Sequence, residues 1–338
     1  MAKNNLNVAV IGCSRIMGRI HMTGVSKMEG ATLYAICDTA DDGRLHEAKE
    51  MFNVPIAVTD YRVLVDDPNI DIAVIVTPDM CHLEMTVAFL RAGKDVLCEK
   101  PMALTVEECT EMRRVEKETG RRLMIGQVCR YTDAFVMAKQ LIDSGRIGEL
   151  YFVESEYAHD YSKKPGYNGW RVCPEREGFI GGGCHAVDLL RWIAGNPTEV
   201  YAHATHKCLT DWPVNDATIA IYKFPNNVMG KVFVSIGCKR NYTMRSVFYG
   251  TKGTIICDNT SPTLTLFEGE DFTNPQQLEV YIDNHNTKAE IEEFVSAIIE
   301  DKDTRVSSSE GAYTISVCCA TVESAAKGTP INIVYPEV

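Results

Sequence analysis

The stretch Val8-Ala-Val-Ile-Gly-Cys-Ser-Arg-Ile-Met-Gly-Arg-Ile-His21 reads as a buried strand, a tight turn and the start of a helix. Such a turn aims free backbone N–H groups and the positive end of the helix dipole at one spot, which suits a pyrophosphate. The glycine pattern is altered, however. Gly12 fits the first fingerprint position, Ser14 stands at the second, and the third is either lost to Met17 or displaced to Gly18. Serine is the smallest tolerable replacement, so Gly12, Ser14, Arg15, Ile16 and Met17 are the expected contacts of a dinucleotide.

Working outward, the first 127 residues keep alternating short apolar runs with amphipathic ones. Residues 8–11, 32–37, 72–76, 95–98 and 123–125 read as strands, and 17–28, 42–51, 83–92 and 107–118 as helices. Near-continuous apolar strands separated by helices indicate a doubly wound parallel sheet of the Rossmann type. Thr105-Val-Glu-Glu108 has the form of a capping box at a helix start. After residue 128 the rhythm changes. A helix at 134–142, a strand at 151–157 and a helix at 184–193 lead into successive strands that include 217–224, 228–236 and 243–249. Strands without intervening helices imply a mainly antiparallel open sheet, giving a second α/β domain. Two more capping boxes, Thr287-Lys-Ala-Glu290 and Ser307-Ser-Ser-Glu310, open two terminal helices. The expected domains are 1–127, for the dinucleotide, and 128–338, for substrate and assembly.

Size and charge narrow the function classes. A chain of 338 residues suits two domains and buries enough apolar surface to need no disulfide or metal. A net charge of −12 argues against a nucleic-acid partner. The 13 cysteines are scattered with no Cys-x-x-Cys, so buried thiols in a reducing compartment are expected rather than a zinc or redox pair. The N-terminal apolar run is short and ends in a glycine turn, unlike a signal peptide, and no run approaches membrane-spanning length. A soluble, cytoplasmic protein without a membrane partner is expected.

Three further segments carry chemistry. Asp38 ends the second strand, where a carboxylate accepts hydrogen bonds from ribose hydroxyls and repels a 2′-phosphate, favouring NAD over NADP. Arg44 downstream weakens that preference unless it is a solvated helix charge; Asp38 itself could instead be a helix-capping acid. Glu99-Lys100-Pro101 places a lysine at a strand end, where proline restricts it to extended geometry. Burial and a positive nicotinamide ring both depress an amine's pKa, so Lys100 can serve as general base for a hydroxyl proton. The plain alternative is a surface charge. Gly181-Gly-Gly-Cys-His185-Ala-Val-Asp188 offers an imidazole for proton exchange. Asp188, three residues on, either orients the ring or pairs with Arg191. The plain alternative for His185 is a residue that caps its helix or fills space.

The chain resembles the Gfo/Idh/MocA family of NAD(P)-dependent sugar and polyol dehydrogenases over essentially its whole length. The likeness rests on Val76-Thr-Pro-Asp-Met-Cys-His82, Ala92-Gly-Lys-Asp-Val-Leu-Cys-Glu-Lys-Pro101, Trp170-Arg171, Cys184-His-Ala-Val-Asp-Leu-Leu-Arg-Trp192, Tyr249-Gly-Thr-Lys-Gly253 and Glu323-Ser-Ala-Ala-Lys-Gly328. It implies that Thr77, Pro78, His82, Glu99 and Gln127 line the nicotinamide half of the cofactor site. A cis Lys100–Pro101 bond is common in the family and open to this chain, and the resemblance implies active-site positions for Trp170 and Arg171 and a homodimer or homotetramer built on the open sheet.

One departure from the family stands out. Relatives commonly carry an Asp four residues before the histidine, and here that position is Gly181. Either Asp188 or an acid from Tyr157-Ala-His159-Asp160 compensates, or the proton relay reduces to Lys100 and His185. The aromatic loop holding Tyr157, His159, Tyr161, Tyr167, Trp170 and Arg171 suits a sugar ring or an oligomer contact. The expected function is NAD-dependent interconversion of a secondary hydroxyl and a ketone on a sugar, glycoside or cyclitol, with Lys100 as acid/base assisted by His185. The alternatives are redox-assisted glycoside cleavage, which the missing Asp motivates, and a non-catalytic dinucleotide-binding regulator, which the altered turn motivates.

Overall fold

In the computed structural model, which describes residues 5–39, 43–163, 169–269, 272–282 and 285–337, the apolar runs become strands. The chain begins β1 (Leu6–Ile11), α1 (Ile16–Ser26), β2 (Ala31–Cys37), α2 (Arg44–Phe52), β3 (Ile56–Val58), α3 (Arg62–Val65) and β4 (Ile72–Ile75). It continues with α4 (His82–Arg91), β5 (Asp95–Glu99), α5 (Val106–Thr119), β6 (Leu123–Gly126), α6 (Asp133–Asp143) and β7 (Leu150–Ala158). Then come α7 (Gly178–Gly181), α8 (Cys184–Ala194), β8 (Glu199–Thr205), β9 (Ala217–Lys223), β10 (Met229–Ser235) and β11 (Thr243–Gly250). Last are β12 (Gly253–Asp258), β13 (Thr263–Glu268), β14 (Gln276–Glu279), α9 (Thr287–Glu300), α10 (Ser308–Lys327) and β15 (Ile331–Asn332).

These elements form two units. The first comprises Met1–Gly126, Asn286–Ala312 and Glu337–Val338, and the second Gln127–His285 and Tyr313–Pro336. A single division after residue 127 therefore leaves out the return of α9 to the first unit.

The first unit is built on a sheet of order β3-β2-β1-β4-β5-β6, in which every pair is parallel. Val8, Ala9 and Val10 of β1 and Ile72 to Ile75 of β4 are fully buried. Helices cover both faces of such a sheet, which is why these strands read as apolar runs without alternation. Winding reverses between β1 and β4, and ligands of open α/β sheets bind off the carboxyl ends of the strands at such a point. Thr105 caps α5 as a full box: its side chain accepts from the Glu108 N–H, and the Glu108 carboxylate accepts from the Thr105 N–H. The second box departs from expectation. Asn286, not Thr287, caps α9 by accepting from the Ala289 N–H, and both Thr287 and Glu290 are buried. In the third box Ser307 accepts from the Glu310 N–H.

The second unit holds a sheet of order β14-β13-β12-β11-β7-β10-β9-β8-β15. All its pairs are antiparallel except β7 with β10. Along β9 the exposure alternates strictly: Thr218, Ala220 and Tyr222 point inward and Ile219, Ile221 and Lys223 outward. That period of two marks a sheet with one covered face. α8 lies against β7 and β10 on the covered side. Tyr222 ends its inward reach in a 2.8 Å hydrogen bond with Thr321 of α10. Among the described residues no helix is long and apolar enough to cross a membrane.

Candidate active site

The turn after β1 is shaped by two glycines with different duties. Gly12 has φ +91°, and a Cβ there would lie 2.7 Å from the Val76 carbonyl carbon and 3.1 Å from the Thr77 nitrogen. Only glycine accepts both the left-handed backbone and that approach of β1 to β4. Gly18 lies inside α1, where a Cβ would meet the Cys13 Cα at 2.6 Å. It thus does the helix-packing work of the third fingerprint glycine, one residue late. The alternative that this role is lost to Met17 is set aside.

The helix start is left open. Arg15 is the N-cap of α1 without a side-chain cap, and the first turn carries no acid. Ser14 donates its N–H to Asp38 Oδ2 at 2.9 Å, while its buried hydroxyl has no partner. Arg15 and Ile16 are exposed, and Met17 is half-buried. Burial, reinforced by the charge of Asp38, raises the Cys13 thiol to about 11, so this sulfur stays protonated at neutral pH.

Beyond β4, the Thr77 hydroxyl is also buried without a partner, and Pro78 caps a short 3-10 turn. His82 is fully buried; its Nδ1 lies 2.8 Å from the Pro101 carbonyl and its Nε2 3.1 Å from the Thr77 carbonyl. Carbonyls only accept, so a ring donating from both nitrogens fits both contacts. Burial works against that charge, but Cys98, Asp79 and the Pro101 carbonyl outweigh it and push the imidazole up to about 10. His82 therefore ties the end of β4 to the residue that follows Lys100. The Lys100–Pro101 peptide bond is cis. Lys100 is half-buried, and its N–H donates to Glu99 Oε2 at 3.1 Å. Glu99 Oε1 accepts from His21 Nε2 at 2.8 Å. In the second unit, Gln127 is buried with neither its amide nitrogen nor its oxygen partnered.

These features fit a dinucleotide. An uncapped, acid-free helix start faces the strand-order reversal, and the unpartnered polar ends of Ser14 and Thr77 belong to the two loops that flank it.

In the second unit, His185 is buried at the start of α8 with its Nδ1 3.6 Å from Cys129 Sγ. Its ring stacks on Tyr157 at 5.7 Å and 17°. The Tyr157 hydroxyl lies 3.2 Å from His159 Nδ1 and 2.9 Å from the Tyr161 hydroxyl. Tyr242, which belongs to no sequence motif, closes the cluster against His159 at 4.6 Å and stacks on His285 at 5.8 Å and 5°. Asp188 does not lie on a helix surface. It is fully buried, and its oxygens accept from Arg130 Nε and Nη2, each at 2.8 Å, and from Thr314 at 3.0 Å.

The space beside Gly181 is filled by an arginine. A Cβ there would come within 2.5 Å of Arg176 Nη2, and the buried guanidinium donates to the Gly181 carbonyl at 3.3 Å. Cationic charge thus stands where a carboxylate was expected from kinship. Trp170 and Arg171, both half-buried, share a 3-10 turn (Trp170–Val172), with the Arg171 guanidinium 4.2 Å and that of Arg176 5.0 Å from the Trp170 ring. Tyr167 lies outside the described residues.

Comparison with known proteins accords with this geometry. Residues 6–127 match the model of the oxidoreductase family with an NAD-binding Rossmann fold, and residues 135–256 match the GFO/IDH/MocA C-terminal domain. Inositol 2-dehydrogenase 2 of Saccharopolyspora erythraea is 30% identical over 268 residues, 78% of this chain and 76% of its own. Myo-inositol 2-dehydrogenase of Thermotoga maritima is 29% identical over 271 residues, 78% of this chain and 79% of its own. A levoglucosan dehydrogenase structure in complex with NADH and levoglucosan superimposes with a TM-score of 0.90 at 26% identity, covering 97% of this chain and 99% of that one. The chain belongs to the Gfo/Idh/MocA oxidoreductase family, and its first unit is that family's NAD-binding Rossmann fold.

Proposed function

We propose that the protein is an NAD-dependent dehydrogenase that interconverts a secondary hydroxyl and a ketone on a sugar, glycoside or cyclitol. The observation that carries this reading is the setting of Lys100. It follows β5, next to the strand-order reversal, with its N–H bound by Glu99 and its following residue tied by His82. The names of relatives, inositol and levoglucosan dehydrogenases, support a polyhydroxylated ring as substrate.

Ser14, Arg15, Ile16 and Met17 would hold the pyrophosphate, Asp38 the adenine-side ribose, and Thr77, Pro78, His82, Glu99 and Gln127 the nicotinamide half. NAD, when bound, supplies the hydride acceptor. Lys100 in its neutral form takes the hydroxyl proton, and in the reverse direction its ammonium returns it to the carbonyl oxygen. His185 assists, with Tyr157 stacked on its ring and Tyr157, His159, Trp170 and Arg171 contributing faces and donors for sugar hydroxyls. Asp188 contributes through Arg130, as an anchor of α8. An oligomer would use the sheet face that exposes Ile219, Ile221 and Met229.

Absorbance of reduced cofactor is expected to rise when NAD and a suitable polyol are added, and Lys100→Ala is expected to abolish it. Retained turnover in that variant overturns the assignment. Release of an aglycone without net NADH would replace it by redox-assisted cleavage.

A further inference from the structure

Behind Lys100 lies a polar cluster that the proposed reaction does not use. His21 of α1, Glu99 of β5 and Glu290 of α9, all buried and all in the first unit, present ligand atoms within 4.8 Å of one another. Glu99 accepts from the His21 Nε2–H on one oxygen and from the Lys100 N–H on the other, which suits an ionised carboxylate. Glu290 is different: it is fully buried, and neither of its oxygens has a hydrogen-bond partner. Nor does it serve its helix, because Asn286 is the cap of α9.

Two carboxylates this close, both out of water, do not both ionise without a compensating charge. The charged and titratable groups facing Glu290 are His21 from α1, Glu99 and Lys100 from β5 and its C-terminal end, and Glu293 on its own helix; β6, also packed on α9, contributes none. We propose that Glu290 is a positioning residue for Lys100, a neutral carboxylic acid whose retained proton leaves Glu99 as the one negative charge within the buried cluster behind the lysine. This rests on the reading of Lys100 as general base.

The physical logic is direct. Burial, then the negative charges of Glu99 and Glu293, drive the Glu290 carboxyl well above its usual range, with Lys100 pulling the other way. Coupling between two sites is reciprocal, so an ionised Glu290 would hold the Lys100 proton more tightly. A lysine clamped as an ammonium cannot take a hydroxyl proton. Keeping Glu290 protonated therefore keeps the amine available as a base, while Glu99 alone still orients the backbone at Lys100.

Two measurements test this on the whole protein. In infrared difference spectra at neutral pH, wild type minus Glu290→Gln, a carboxylic-acid carbonyl band belonging to position 290 is expected; its absence overturns the proposal. Acylation of Lys100, followed against pH by peptide mass spectrometry, is expected to keep its pH profile in Glu290→Gln, which exchanges one uncharged group for another. A profile moved about half a pH unit lower, about a threefold faster reaction on the acid limb, would show that Glu290 is charged in the wild type and overturns the proposal. So does a stoichiometric metal ion in the purified protein that is lost in the variant. Should Glu290→Gln not fold, Glu290→Met, of similar volume and without hydrogen-bonding groups, carries the same subtraction and the same titration. Neither readout needs turnover. Activity surviving in Lys100→Ala would end the functional reading while leaving these results interpretable, and a shifted acylation profile would end this inference while leaving that reading intact.

Discussion

Asp188 on α8 and Arg130 after β6 form a two-pronged ion pair, Oδ1 and Oδ2 each 2.8 Å from a guanidinium nitrogen, both residues buried. Thr314 adds a third hydrogen bond at 3.0 Å, and Arg191 stands 3.9 Å away. The pair fixes the helix that carries His185 one turn earlier. Its contribution is positional, since hydrogen bonds from Arg130 and Thr314 already occupy the carboxylate.

Asp188→Asn should therefore destabilise the fold out of proportion to the single atom changed. Removing one member of a buried pair leaves the other charge uncompensated, a cost of about 3–5 kcal/mol. Chemical denaturation of the variant measures it. Asp188→Leu combined with Arg130→Met, which removes both charges, is expected to recover most of the loss; equal destabilisation of single and double variants contradicts the role given to the pair.

Gly18→Ala tests the displaced fingerprint glycine. Its Cβ would press on the Cys13 Cα at 2.6 Å, a backbone atom that cannot rotate away. Overpacking of this kind costs about 1–3 kcal/mol. Because the same contact positions the turn after β1, NAD affinity measured by calorimetric titration should fall together with the melting temperature. Gly43→Ala, where an added Cβ meets nothing, strains only a left-handed backbone and serves as the comparison for affinity. An unchanged NAD affinity in Gly18→Ala returns the third position to Met17.

Much of this was legible in the sequence, because strands buried on both faces of a parallel sheet announce themselves as apolar runs. β1, β4 and β5 are found within two residues of their expected limits. β3 and α3 are not among the elements read from the sequence: three and four residues long, the first half-buried throughout and the second burying only Leu64, they carry no periodic signal. The box Thr105–Glu108 and the box Thr287–Glu290 look alike on paper, yet only the first forms. The distinguishing signal is position relative to the apolar stripe of the helix. Glu290 falls on the same face as Phe294, four residues on, whereas Glu108 is half-buried at the rim of its helix. Tyr242 and Arg176 were beyond reach, since only the tertiary fold brings them to His159 and Gly181.

His82 makes stability depend on pH in a stated direction. Its folded value, about 10, lies well above that of an ordinary imidazole, about 6.5. A raised cationic group stabilises the fold fully below its unfolded value, and that stabilisation is lost as pH climbs through the folded one. Unfolding free energy should thus decline between pH 6.5 and about 10 more steeply in the wild type than in His82→Gln. Parallel denaturation series at several pH values provide the check, and identical slopes would show that the imidazole is neutral in the fold.

The Tyr157–His185 stack separates two duties of one side chain. Tyr157→Phe keeps the ring that lies 5.7 Å from His185 but deletes the hydroxyl joining His159 Nδ1 and Tyr161. Leaving buried partners short of a hydrogen bond costs about 1–3 kcal/mol. Tyr157→Leu removes the stack as well, together with about 0.5–1.5 kcal/mol of ring–ring attraction. If the stack orients His185 for proton transfer, kcat should fall by about tenfold in the Leu variant relative to the Phe variant, at a matched melting temperature set by adjusting glycerol. The two variants falling equally would assign the whole effect to the hydroxyl network, and His185 would then take its orientation from Cys129, 3.6 Å from its Nδ1.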